Sequence, residues 1–192
     1  MDLAEVIVPS TEQFITVQGD PDRKVKDITF DGLSFEYNTW LYPSLYGWPD
    51  QQANFAHNPE ETENMHGYSL TPQAAIETRM SKNITFSGCH FQNIGSGAIS
   101  LLKGSENNVV EKCVFQDISG GGVLIGGVNI NDAHPVELDD NATLEEIKEA
   151  MQKHADNPEQ SPHDERSIVK DNVVTNCYFN RIGTEYKGSI AV

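Results

Sequence analysis

The chain has 192 residues, with 13 Lys and Arg against 29 Asp and Glu, which gives a formal net charge of −16 at pH 7. This acidic balance argues against nucleic acid or an anionic membrane surface as the partner, and no run of about 18 apolar residues provides a membrane span. The first residues, Met1 to Glu5, have neither the basic nor the apolar region of a signal peptide.

One strand motif occurs in four gapless copies, each ending in phenylalanine. The copies end at Phe35, Phe91, Phe115 and Phe179. The equivalent positions Cys89 and Cys113 are 24 residues apart, and the intervals before and after them contain the same period plus an insertion. A period of about two dozen residues, built from short strands and tight turns, is typical of a solenoid. We therefore predict an all-β fold, a right-handed parallel β-helix.

The alternation of apolar and polar residues predicts which side chains point inward. Two stacks are expected, with neighbours about 4.8 Å apart: Phe30, Phe86, Val110 and Val174 in one, and the four terminal phenylalanines in the other. Cys89, Cys113 and Cys177 share one slot, so we expect free, buried thiols and neither a disulfide nor a zinc site. Asn83, Asn107 and Asp171 align at a turn and are expected to form a polar ladder.

Two insertions interrupt the coils. The first, about 40–76, is rich in aromatic residues, and the second, about 129–166, contains a predicted α-helix from Thr143 to about His154. The whole chain, 1–192, is interpreted as one partial β-helix domain. It stops at Val192 inside a predicted strand, so we expect it to be the front part of a longer β-helix.

The repeats also carry a family resemblance. Glu5-Val-Ile-Val-Pro9, the segment 25–35, Ala74-Ala-Ile76 and the segment 115–126 resemble the pectate-lyase-like β-helix superfamily. More narrowly, they are similar to secreted bacterial β-helix proteins near glycoside hydrolase family 141. The resemblance covers most of 5–128 and 168–192. It implies a parent protein, secreted or periplasmic, that hydrolyses a polysaccharide or oligosaccharide through paired carboxylates and without a cofactor.

Two acids are the candidate catalytic residues. Asp117 follows an inward phenylalanine before a glycine-rich turn, and the aligned positions Tyr37, Asn93 and Arg181 show that the coil does not require a carboxylate there. Glu185 follows the matching turn one coil later. Glycosidases need two carboxyl groups about 5 to 9.5 Å apart, which adjacent coils can supply. The alternative is that both are ordinary surface acids of turns.

The first insertion supplies the candidate substrate-binding residues. Trp40, Tyr46 and Trp48 offer rings that pack against sugar faces, and His57 and His66 could act as ligands or general acids. The alternative is a small satellite core beneath the loop.

Three hypotheses for function follow. The first is a glycoside hydrolase, favoured by neighbouring acids. The second is a polysaccharide lyase or epimerase dependent on Ca²⁺, which needs an acid cluster and a basic residue; Asp139 and Asp140 are a possible pair. The third is a non-catalytic glycan-binding or surface β-helix fragment, favoured by aromatic residues without acids. No other metal motif is present, so no metal site is predicted.

Overall fold

The computed structural model describes residues 6–49, 51–57, 69–127 and 165–192. Four successive coils each place one strand in each of three parallel sheets. The first sheet contains β1 (Ile15–Gln18), β7 (Ala74–Arg79), β10 (Gly97–Leu101) and β13 (Val123–Ile125). The second contains β2 (Val25–Asp31), β8 (Ser81–Ser87), β11 (Val109–Glu111) and β14 (Val173–Thr175). The third contains β3 (Ser34–Glu36), β9 (His90–Ile94), β12 (Val114–Ile118) and β15 (Tyr178–Ile182).

The strand register reproduces the sequence period. Phe86 of β8 pairs with Phe30 on one side and Val110 on the other, and Val110 pairs in turn with Val174. All pairs within these three sheets are parallel. The predicted parallel β-helix is therefore confirmed, and the gapless repeat is the reason, because each repeat unit is one coil.

Stacked phenylalanine rings form the centre of the core. The centre of the Phe115 ring lies 4.9 Å from that of Phe91 and 4.7 Å from that of Phe179, and the two rings of each pair are stacked and nearly parallel. Phe91 and Phe115 are fully buried, whereas Phe35 and Phe179 are only partly buried in the outer coils. All four rings point into the β-helix, as expected. Their burial is complete only where a coil has a described neighbour on both sides.

The three cysteines are free, as predicted. Cys89 and Cys113 are buried, but Cys177 is only partly buried, because it lies in the fourth coil with no described coil beyond it. Burial raises the pKa of the Cys113 thiol to about 12. Its Sγ donates to the carbonyl oxygens of Glu111 and Phe86, so the thiol acts as a small buried donor in the core.

The principal polar ladder lies one residue later than predicted. Asn83 does bond Asp27 across coils, Nδ2 to Oδ1, at 2.9 Å. The buried ladder, however, uses Asn108, whose Oδ1 accepts from the Ile84 backbone N–H at 2.9 Å, while the Asn108 backbone N–H donates to Asn172 Oδ1 at 3.0 Å. The preceding residue, Asn107, has a left-handed backbone, which bends the chain, and the side chain of Asn108 after it is fully buried.

The first insertion leaves the third sheet after β3 and rejoins the first sheet at Ala74, two residues before the predicted boundary. It contains a short helix, α1 (Tyr42–Tyr46), and an antiparallel sheet of β4 (Gln51–Gln52), β5 (Phe55–His57) and β6 (Ser69–Leu70). The predicted helix Thr143–His154 lies outside the described residues. A 3-10 turn, Glu165–Ser167, precedes β14. Among the described residues, no helix is long and apolar enough to cross a membrane.

The phenylalanine stack predicts a large cost for removing one ring. Phe115→Ala should lower the free energy of unfolding by about 3–5 kcal/mol, because a cavity replaces a fully buried ring. Tyr178→Ala, at an exposed position of the adjacent strand, is the control and should change it by no more than about 0.5 kcal/mol. Urea unfolding measures both values. A loss below about 1 kcal/mol for Phe115→Ala would contradict this core.

The cysteine environments predict an order of reactivity. With a thiol-specific reagent at neutral pH, Cys177 should react first, and Cys89 and Cys113 should react only when denaturant is added. Cys177→Ser should remove the early phase and leave the two denaturant-dependent thiols. An immediate reaction of Cys113, or a disulfide between any two cysteines, would be inconsistent with this arrangement.

Candidate functional site

The candidate acids lie beside one corner of the β-helix. We define the candidate corner as residues 95–96, 119–122 and 183–189, which follow the third sheet in coils 2, 3 and 4. The first two segments lead into strands β10 and β13 of the first sheet. Asp117 lies just before this corner, within β12. Glu185 lies in the corner, where its backbone N–H donates to the Ser119 carbonyl at 3.3 Å. The two acids are therefore on adjacent coils.

Asp117 occupies a bend that recurs in every coil. Its φ is 56°, and the equivalent residues Tyr37, Asn93 and Arg181 have φ between 54° and 61°. Asn and Asp tolerate this left-handed region better than most residues do. The backbone therefore gives Asp117 a structural reason to be there, independent of any chemistry.

Two side chains hold the Asp117 carboxylate. The Arg181 guanidinium forms an ion pair with Oδ1, and Gln116 Nε2 donates to Oδ2 at 3.4 Å. The Asp117 side chain is 24% exposed. Arg181 occupies the same slot one coil later, so the stacking of equivalent positions brings this cation to the carboxylate. Asp117 and Arg181 are aligned positions of the repeat, but their pairing was not predicted.

Aromatic residues form a cluster at the same corner, and its centre was not predicted. Tyr186, which is buried, stacks on Trp48 at 4.9 Å and meets the edge of Trp40 at 5.3 Å. Trp40 also stacks on Tyr42 and is buried, so it belongs to the satellite core given as the alternative for this loop. Trp48 is 63% exposed and leaves a ring face available to a ligand.

The electrostatics of Tyr186 connect this cluster to Glu185. Burial, with a smaller effect from the negative charge of Glu185, raises the Tyr186 pKa to about 12. The phenol is therefore neutral across the physiological pH range. Tyr186 was missed because it lies beyond the last copy of the repeat, so no aligned position marked it as buried; the signal was its place directly after a candidate acid.

The remaining predicted binding residues cannot be placed. The side chains of Tyr46 and His57, and the whole of His66, lie outside what the structure describes. The same holds for Asp139 and Asp140. Within the described ranges, no group of three or more His, Cys, Asp or Glu residues is placed to hold a metal ion.

A cleft opens between the first insertion and the outside of the first sheet. Gln51, Asn54 and Pro72 line it from the insertion. The lining from the coils comprises Gly97, Ile99, Ser100, Gly121 and Leu124. Gly121 is required for this approach, because a Cβ there would lie 2.5 Å from Asn54 Oδ1. From the sequence, the glycine run 120–122 was interpreted only as a turn.

The comparisons with known proteins agree with this architecture. A family model described as right handed beta helix region matches residues 22–144, more than half of the chain. The chain belongs to this right-handed β-helix family. A comparison with curated proteins found no match.

A solved structure described as a glycoside hydrolase is similar over 96% of this chain, with a TM-score of 0.71 and 26% identity. The chain spans 29% of the length of that structure. It is thus a right-handed parallel β-helix that resembles one part of a glycoside hydrolase.

The raised pKa of Tyr186 predicts a pH-dependent stability. Because the pKa is about 12 in the folded state and about 10 when unfolded, this contribution is complete below pH 10 and is lost as the pH rises towards 12. Between pH 8 and pH 11, wild type should therefore lose about 1 kcal/mol relative to Tyr186→Phe. Urea unfolding at both pH values measures this, with Tyr178→Phe as an exposed control. If the difference in unfolding free energy between wild type and Tyr186→Phe is the same at both pH values, the burial of the phenol is contradicted.

Proposed function

We propose that this chain is part of a carbohydrate-active β-helix that hydrolyses glycosidic bonds of a polysaccharide beside the candidate corner. The observation that carries the proposal is the similarity of nearly the whole chain to part of a glycoside hydrolase. The presence of two acids and an exposed tryptophan at one corner supports it.

Asp117 and Glu185 are assigned as the carboxylate pair. Parallel coils lie about 4.8 Å apart, but Glu185 is four residues beyond Arg181, the counterpart of Asp117. The assignment therefore requires the chain after Arg181 to bring the two carboxyl groups within the 5 to 9.5 Å or so that glycosidases use. Asp117, oriented by Arg181 and Gln116, suits the role of nucleophile or base. Glu185 is exposed and has no side-chain partner among the described residues, which suits a general acid that must approach the leaving oxygen.

Trp48 is assigned as a sugar platform. Its exposed ring stacks on Tyr186, the residue next to Glu185. Sugar rings present apolar C–H faces, and an indole that is already packed loses little entropy on binding them. A glycan resting on Trp48 would therefore lie close to the proposed acid.

The decisive test is the removal of one charge without a change of shape. Asp117→Asn should lower hydrolysis by about 10²-fold or more, with little change in melting temperature. Asp171→Asn is the matched control, because Asp171 is exposed and has the same φ of 56°. Release of reducing ends from a panel of plant polysaccharides by the full-length protein measures the rate. Unchanged activity in Asp117→Asn would show that this residue is only structural.

A second candidate function is non-catalytic glycan binding. The ion pair of Asp117 with Arg181 favours it, because the carboxylate already has a partner. In that case the wild-type protein would bind oligosaccharides without releasing reducing ends. Trp48→Ala would weaken the binding, whereas Leu45→Ala, an exposed residue of the same insertion, would not.

A further inference from the structure

Uncharged amide side chains form a column on the outer face of the third sheet. Gln92, Gln116 and Asn180 occupy the same outward position of β9, β12 and β15, and the strand register places them one above another. Successive members are about 4.8 Å apart along the axis of the β-helix. All three residues are partly exposed, so the column is accessible from outside.

The amides of this column do not hold the coils together. Stacked Asn and Gln side chains can bond one another in a ladder, yet no hydrogen bond links these three side chains. Gln116 donates to Asp117 Oδ2 at 3.4 Å, and the side chains of Gln92 and Asn180 have no hydrogen-bond partner among the described residues. Since an amide has two donor hydrogens and an acceptor oxygen, the column presents a row of unused polar groups.

An exposed aromatic ring stands beside the column. Tyr178 precedes Asn180 by two residues on β15, so both side chains leave the same face, about 7 Å apart. Tyr178 is 59% exposed. Sugar rings have apolar C–H faces that pack on aromatic rings and hydroxyl groups that bond amides. The column and the ring thus offer the two kinds of contact that a sugar makes.

The charges on this face favour an uncharged ligand. Arg181 is the only Lys or Arg within β3, β9, β12 and β15, and it is paired with Asp117. The first coil places an exposed acid, Glu36, in register with Gln92. In a chain with a net charge of −16, an acidic polymer would therefore be repelled from this face. The hydroxyl groups of a neutral sugar suit the amides, because both groups donate and accept hydrogen bonds.

We propose that an uncharged polysaccharide lies along the outer face of the third sheet, parallel to the axis of the β-helix, with one sugar residue at each coil. The amides of Gln92, Gln116 and Asn180 bind its hydroxyl groups, and one sugar ring packs on Tyr178. The spacing of the coils is close to the length of one residue in an extended glycan chain.

This inference rests on the proposed function, because it takes the ligand to be a glycan. It adds the direction of the chain and the residues that hold it on either side of the proposed carboxylate. Asp117 directly follows Gln116 on β12, so a chain held by the column passes that acid at coil 3.

Affinity electrophoresis of the full-length protein tests the proposal with polymers of known charge. Native gels contain arabinoxylan, mixed-linkage β-glucan or galactomannan, which are uncharged, or polygalacturonate, which is anionic. At least one neutral polymer should retard the wild type, and polygalacturonate should not. The dependence of mobility on polymer concentration gives the dissociation constant.

Substitutions that remove the amides without adding a charge locate the bound polymer. Gln92→Met and Asn180→Leu keep much of the side-chain volume but lose the hydrogen-bonding groups, so each should raise the dissociation constant about threefold to tenfold. Tyr178→Ala removes the ring and should have an effect of similar size. Thr85→Val and Thr175→Val are the controls, because these partly exposed residues lie in the same two coils but on the second sheet. Both controls should bind as the wild type does.

Two kinds of result would overturn the inference. No retardation by any of the neutral polymers, or retardation by polygalacturonate alone, would contradict an uncharged ligand. Dissociation constants that stay unchanged in all three variants would place the glycan on another face.

The same measurements separate this inference from the proposed function. Retardation that depends on these residues, without release of reducing ends, would contradict the proposed hydrolase alone. Hydrolysis by a protein whose binding is unaffected in all three variants would contradict this inference alone.

Discussion

The parallel main-chain pairing between successive coils is the constraint on which the rest of the structure depends. Once Phe86 is paired with Phe30 and Val110, every other side chain of those coils is assigned a neighbour in the same slot. Apolar slots become stacks, and the polar slot of Asn108 and Asn172 becomes a buried ladder that binds backbone amides of the adjacent coils. The burial of the apolar stacks and the hydrogen bonding of backbone N–H groups at the turns are thus both consequences of one register.

The same constraint explains why Asp117 is difficult to interpret. Its slot requires a left-handed bend, which any of four different residue types occupies in this chain. The coil tolerates a carboxylate there and also supplies Arg181 from the next coil to neutralise it. A site built on a solenoid uses positions that already have a structural role. Only a substitution of the single residue can therefore distinguish its role in the backbone bend from a role in catalysis.

The fold could be predicted from the sequence because the repeat is a local pattern with a fixed period. The stacking of Phe91 on Phe115 follows from counting residues, and it is confirmed. The shift of the polar ladder to Asn108 could not be predicted by counting residues, because it depends on the left-handed backbone of the preceding residue. The cleft could not be predicted for a different reason. Asn54 and Gly121 are distant in sequence, and the insertion contains no repeat that would align the two residues.

The fastening of the first insertion to the far end of the described coils has a mechanical consequence. The insertion begins after coil 1, yet Ala53 donates to the Gly188 carbonyl, and Gln51 and Asn54 bond Ser189 and Ile190 beyond coil 4. A simple solenoid has only nearest-neighbour interfaces, so its outer coils can peel away one at a time. The insertion thus connects the first described coil with the segment after the fourth. Detaching either of these two coils from the others then also requires the insertion to detach, which couples the four coils into one cooperative unit.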